Sequence, residues 1–104
     1  MNKTEQEYAM ILKSRKAAGE VAWFAFEPWG LRLADNTRYN PDFVVLMADG
    51  TIEVHEVKGF WRDDARVKFK TAANLYPFLI FRAVQKARKK DGGGWIVETL
   101  RQGD

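Results

Sequence analysis

The segment Pro41 to Gly59, PDFVVLMADGTIEVHEVKG, constrains the fold more tightly than any other part of the chain. Two apolar runs rich in β-branched residues flank a turn that contains Asp49 and Gly50, which predicts a β-hairpin. Loop length then decides which side chains meet. A two-residue turn of Asp49 and Gly50 would pair Leu46 with Glu53 and Val44 with His55, mixing apolar and polar residues on each face. A three-residue loop of Ala48, Asp49 and Gly50, with Gly50 left-handed, pairs Met47 with Thr51, Leu46 with Ile52, Val44 with Val54 and Asp42 with Glu56. The second register keeps one face apolar until it ends in two acids, and cross-strand apolar pairs support it.

Opposed residues on neighbouring strands have β-carbons about 4.5–5.5 Å apart, near enough for the Asp42 and Glu56 carboxylates to hold one divalent ion. Lys58 lies two residues beyond Glu56 and therefore on the same face. The competing reading makes Glu56 and Lys58 edge-strand charges and Asp42 a turn residue after Pro41. With no cysteine and one histidine in 104 residues, thiolate zinc sites, cysteine nucleophiles and multi-histidine cages are excluded. Any metal has to be held mainly by oxygen, which favours Mg²⁺, with Mn²⁺ as a substitute.

Around the hairpin, the spacing predicts a helix over 4–18, with Thr4 as N-cap, Tyr8, Ile11 and Leu12 inward, and Gly19 as terminator. AWFAFEP reads as a strand ending at Pro28, and a loop-rich stretch with room for a short strand at 31–33 follows. RDDARVKFKTAANLYP reads as a second helix, capped by Asp63 or Asp64, with Ala65, Phe69, Ala72, Ala73 and Tyr76 facing in and Pro77 as its stop. FLIFRAV and WIVETL are two more strands, joined by the basic, glycine-rich QKARKKDGGG. The expected fold is one α/β domain over 1–104, a mixed central sheet flanked by helices, in the order α-β-β-β-α-β-β. No apolar run is long enough to span a bilayer and the N-terminus is too polar for a signal peptide, so a cytoplasmic protein is expected.

Charge is divided unevenly. Residues 1–58 carry 7 basic and 9 acidic side chains, and residues 59–104 carry 10 and 5. An acidic constellation followed by a basic half suits a protein that binds a polyanion and holds cations, although a solvated basic helix produces the same count. No GxxxxGK[ST] or GxGxxG string occurs, so no nucleotide cofactor is expected.

Pro41-Asp42, a hairpin, and then Glu56-Val57-Lys58 resembles the PD-(D/E)XK nuclease superfamily, over an αβββαβ core at about residues 4–86. The longer string RYNPDF…EVHEVKG, followed by ARVKFK and YPF, is similar to small phage and prophage nucleases of the Holliday junction resolvase type. The resemblance implies that Asp42 and Glu56 are metal ligands, with the Val57 backbone carbonyl as a third oxygen. It implies that Lys58 orients or activates the attacking water and stabilises charge on the phosphate. It also implies a further carboxylate from the first helix. Glu5 fits best, one helical repeat from the inward Ala9 and Leu12, while Glu7 points elsewhere; the alternative for Glu5 is a charge that serves only the helix dipole.

On this reading the substrate is DNA, branched duplex in particular, cut by a homodimer that presents two equivalent sites. Arg62, Arg66, Lys68 and Lys70 would contact phosphates near the cleavage position, and Arg82, Lys86, Arg88, Lys89 and Lys90 form a second basic stretch for another duplex arm. Taken singly, each is equally a solvated surface charge. His55 falls on the face opposite Glu56 and reads as a sheet or interface residue. Trp29, Phe60 and Trp61 are either packing residues or platforms for unpaired bases. The alternatives are a nuclease acting on nicked, mismatched or linear duplex DNA, and a nuclease fold that binds DNA without cutting it.

Overall fold

A computed structural model describes residues 1–58 and 62–100; Phe60 and Trp61, singled out above, lie outside the described residues. The chain forms α1 (Lys3–Ala17), β1 (Val21–Phe26), β2 (Leu31–Ala34), β3 (Thr37–Tyr39), β4 (Phe43–Met47), β5 (Ile52–Lys58), α2 (Asp63–Leu75), β6 (Ile80–Lys86), a short 3₁₀ turn at Lys89–Asp91, and β7 (Trp95–Leu100). Five strands make a mixed sheet in the order β1-β4-β5-β6-β7. Among the described strands only the β5–β6 pair is parallel, with α2 as its crossover, because neighbouring parallel strands need a connection longer than a turn.

The hairpin has the three-residue register. Val44 pairs with Val54 and Leu46 with Ile52, the Met47 N–H donates to the Thr51 carbonyl at 2.8 Å, and Gly50 closes the loop at φ 90°, a conformation that suits a residue without a β-carbon.

Each sheet face is covered by one helix. Tyr8 and Leu12 of α1 pack on Phe43, Val45, Val57 and Val84. On the other face Phe69, Ala72 and Ala73 of α2 pack on Val54, Phe81 and Ala83. The alternation of β5 follows directly: Val54 and Glu56 face α2, while Glu53, His55 and Val57 face α1.

Several local expectations are corrected. The helix starts earlier, with Asn2 as N-cap: Asn2 Oδ1 accepts from the Glu5 N–H and Glu5 Oε1 from the Asn2 N–H, both at 2.8 Å. Thr4 has Glu7 three residues on and Asn2 has Glu5, so the sequence offers two overlapping capping boxes. The earlier one prevails while Glu7 pairs with Lys86. Ile11 is exposed because the inward stripe runs through Tyr8 and Leu12 and leans towards Ala9. In α2 the N-cap is Arg62, without a side-chain cap bond, and Asp63 and Asp64 sit in the first turn, where their charge suits the helix dipole. Phe78 precedes β6 and is exposed.

Five strands, not three, precede α2. The additional pair β2–β3 is a separate two-stranded sheet, turned at Asn36 with φ 58°, a conformation asparagine tolerates better than most residues. Leu31, Leu33 and Tyr39 of this hairpin pack on the α2-side core.

The α1 face holds a buried polar chain. Arg82 donates from Nε and Nη2 to the Glu53 carboxylate at 2.8 and 3.0 Å, and from Nη1 to Thr99 Oγ1 at 2.5 Å. Burial alone would raise the Glu53 carboxyl, but the His55 and Arg82 hydrogen bonds outweigh it and bring it down to about 2. Glu53 is therefore ionised and accepts from His55 Nε2 at 2.7 Å. That fixes the tautomer: with burial holding His55 neutral, Nδ1 accepts from the Tyr8 hydroxyl at 2.6 Å. Arg82 is thus committed to this network, apart from the other cations of its stretch.

Candidate functional site

Asp42 and Glu56 meet at one end of the sheet, on the side of β5 that faces α2. Asp42 immediately precedes β4, and its placement rests on two backbone contacts: its carbonyl accepts from the Glu27 N–H at 2.8 Å and its Oδ2 accepts from the Val57 N–H at 2.8 Å. Glu56 Oε1 in turn accepts from the Asp42 N–H at 3.3 Å. The hairpin register therefore delivers the two carboxylates side by side, and the Val57 backbone lies against them.

Both acids are buried, at 7% and 6% exposure, where an ionised carboxylate is costly unless it is paired. Two groups pair with Glu56: Lys58 Nζ at 3.0 Å from Oε2, and the Tyr39 hydroxyl, which donates to Oε1 at 2.5 Å. Burial pushes the Asp42 carboxyl up to about 7, and the Glu56 charge adds to the effect. For Lys58, burial acts to lower its affinity for a proton, but the Glu56 carboxylate prevails and holds it above the ordinary lysine value. The cluster is consequently a buried acidic pair with one protonated ammonium beside it. It has the chemistry of a cation site: a divalent ion between Asp42 and Glu56 would offset both the burial and the Glu56 repulsion that raise the Asp42 carboxyl.

Tyr39 received no role from the sequence, although it stands three residues before Asp42. Its hydroxyl reaches Glu56 because β3 packs over the α2 side of the sheet, and burial together with Glu56 drives its ionisation far upwards. Tyr39→Phe should lower the unfolding free energy by about 1.5–3 kcal/mol, the usual worth of a hydrogen bond to a charged group. An unchanged urea midpoint for that variant would show the hydroxyl to be dispensable to the fold.

Glu5 is close enough for its charge to act on both Asp42 and Lys58, but its carboxylate is engaged in the α1 capping box. Among the described residues no three histidine, aspartate or glutamate side chains converge as a metal-binding group. The pair is Asp42 and Glu56, and Glu5 stands at its margin.

The four basic positions named on α2 are placed differently from one another. Arg62 caps the helix at the site end and Lys70 is exposed. Lys68 Nζ donates to the Arg38 carbonyl at 3.4 Å. Arg66 is held by both Glu98 oxygens, at 2.8 and 2.6 Å, and so is bound to β7. Trp29 is exposed between β1 and β2.

The fold and site together define a mixed α/β domain with two α-helices among the described residues and a buried aspartate–glutamate pair, with the half-buried Lys58 beside it, at one sheet end. No family model, curated protein or solved structure matches the chain. No described helix is long and apolar enough to cross a membrane.

Proposed function

We propose that this chain is a divalent-metal-dependent endonuclease of the PD-(D/E)XK type that hydrolyses phosphodiester bonds in DNA, branched duplex such as a Holliday junction in particular. One observation carries the reading: the hairpin register brings Asp42 and Glu56 together as a buried pair with the half-buried Lys58 beside it. Two carboxylates buried side by side are costly in the metal-free protein, and a bound cation would offset that cost.

Asp42 and Glu56 would hold Mg²⁺ or Mn²⁺, with the Val57 carbonyl as the third oxygen; the ion supplies Lewis-acid polarisation of a phosphoryl oxygen. Glu56 is held for this purpose by the Tyr39 hydroxyl. Lys58, kept protonated by Glu56, is suited to donate hydrogen bonds to the attacking water or a phosphoryl oxygen and to offset the negative charge that develops on phosphorus. As an ammonium it is not suited to take a proton, so the role assigned to it is electrostatic. Glu5, whose Oε1 serves the α1 cap, would join through its other carboxylate oxygen. Symmetric nicking of a junction calls for two equivalent sites, which a two-fold homodimer provides.

The test is cleavage of a labelled four-way junction beside linear duplex, single-strand and flap DNAs, in Mg²⁺, in Mn²⁺ and in chelator. Metal-dependent paired nicks confined to the junction are the expected result. Cutting of every substrate would leave a general nuclease. Binding without cutting, by protein shown to be folded, would defeat the enzymatic reading in favour of a DNA-binding module.

A further inference from the structure

The connection between β6 and β7 is unused by the proposed chemistry and carries the densest positive charge in the chain. Residues 86–91 hold four cations, Lys86, Arg88, Lys89 and Lys90, against one carboxylate, Asp91. Its position follows from strand direction. β5 and β6 run parallel, and Lys58 stands opposite Gln85, so the chain leaves β6 at the same end of the sheet at which β5 presents Glu56 and Lys58. With strands about 4.8 Å apart, the loop base lies one to two strand spacings, about 5–10 Å, from the carboxylate end of β5.

The loop is built, not slack. The Asp91 N–H donates to the Arg88 carbonyl at 2.9 Å, the Gly93 N–H to the same carbonyl at 3.0 Å, and the Ala87 N–H to the Gly94 carbonyl at 2.9 Å. Gly92, Gly93 and Gly94 all have positive φ, at 98°, 68° and 76°, a run that would strain any residue with a side chain. A β-carbon at any of the three would meet nothing within 4 Å, so the backbone there is bare and open to approach. Lys86 is tied to Glu7 of α1 and Arg88 to Asp91 at 2.9 Å. Lys89 and Lys90 are exposed and form no ion pair with a carboxylate among the described residues.

We infer that the β6–β7 loop is a docking surface for the phosphate backbone of duplex DNA, gripping the arm beside the bond at Asp42 and Glu56 through Lys89 and Lys90. Residues 85–94 contain no aromatic side chain. Single-strand binders use aromatic platforms for unpaired bases, whereas a duplex presents phosphates to cations and needs none. The bare glycine strip lets the sugar–phosphate chain approach the main chain. This deepens the nuclease reading, which supplies the identity of the polyanion, but it concerns binding and not the chemical step.

The test is fluorescence anisotropy with a labelled linear duplex in chelator, across a salt series, for wild type and for Lys89→Glu with Lys90→Glu. Both side chains are exposed, and circular dichroism together with a Lys89→Arg, Lys90→Arg control separates charge from misfolding. The charge-reversed protein should bind about tenfold or more weakly, and its plot of log affinity against log salt should be shallower by about 2, one per lost phosphate contact. The arginine control should bind as wild type does. Equal affinity and slope in the two proteins would overturn the inference, as would a loss seen on single strands but not on duplex. A wild type that binds duplex through the loop and cuts nothing would defeat the nuclease reading alone.

Discussion

Lys58→Ala is expected to slow strand cleavage by about 10²–10³-fold, the cost of removing one preorganised donor from a developing oxyanion, while leaving duplex affinity within about threefold. The inequality has a physical basis. Lys58 is bonded to Glu56 at 3.0 Å and is only partly exposed, so it contributes little to capture of the DNA backbone. Its charge acts where negative charge grows on phosphorus. Single-turnover cleavage beside anisotropy in chelator separates the two effects, and Lys58→Arg, which keeps charge but changes donor geometry, should recover part of the rate. Cleavage at the wild-type rate in Lys58→Ala would remove this residue from the mechanism. A urea titration of the variant separates loss of the fold from loss of the chemical step.

Asp42→Asn is expected to abolish cleavage and at the same time stabilise the metal-free protein. Burial and the Glu56 charge raise the Asp42 carboxyl from 3.8 to about 7. In the unfolded chain the proton leaves near 3.8, whereas the folded protein retains it until about 7, so the folded state binds more protons across that window. The contribution of Asp42 is therefore fully present below about pH 4 and is lost as pH rises through 7, by at most about 4 kcal/mol. Asparagine carries no charge to bury, and its amide oxygen can still accept from the Val57 N–H. In chelator above pH 7 the variant should be more stable by about 2–4 kcal/mol, and the loss of stability that Asp42 imposes on the wild type between about pH 4 and 7 should be missing from it, while the contribution of neutral His55, shared by both proteins, stays. Mg²⁺ should reverse the ranking, because the ion stabilises only a protein that binds it. Thermal unfolding of both proteins across pH, with and without Mg²⁺, reads all of this. A variant no more stable than wild type in chelator would mean that the acidic pair is not under strain.

The two results together distinguish a site from a structural ion cluster. A cluster kept for stability would lose stability when either member is changed, whereas a site held ready for a cation should gain stability when Asp42 is neutralised and lose activity in the same step.

Much of this arrangement can be read from the sequence, because its determinants are local. The Asp42–Glu56 juxtaposition follows from the stereochemistry of Gly50 and the period-two pairing of Val44 with Val54 and Leu46 with Ile52, which lie within one hairpin. The inward face of α2, at Phe69, Ala72 and Ala73, follows from helical spacing in the same way. Where two local signals compete the sequence is ambiguous. Asn2 and Thr4 each have a glutamate three residues on, and only contacts made elsewhere, Glu7 with Lys86 among them, separate the two caps.

The rest was decided by the tertiary structure. Tyr39 reaches Glu56 because the β2–β3 hairpin packs onto the α2 side of the sheet. Arg66 is held by Glu98, 32 residues away, and Arg82 by Glu53, 29 residues away. Neither pairing has a periodicity or spacing to announce it. Local backbone preferences and side-chain alternation act over a few residues and are written in the order of the chain; the partner of a charged or hydroxyl group depends on which distant strand or helix is brought against it, and only the packed fold determines that.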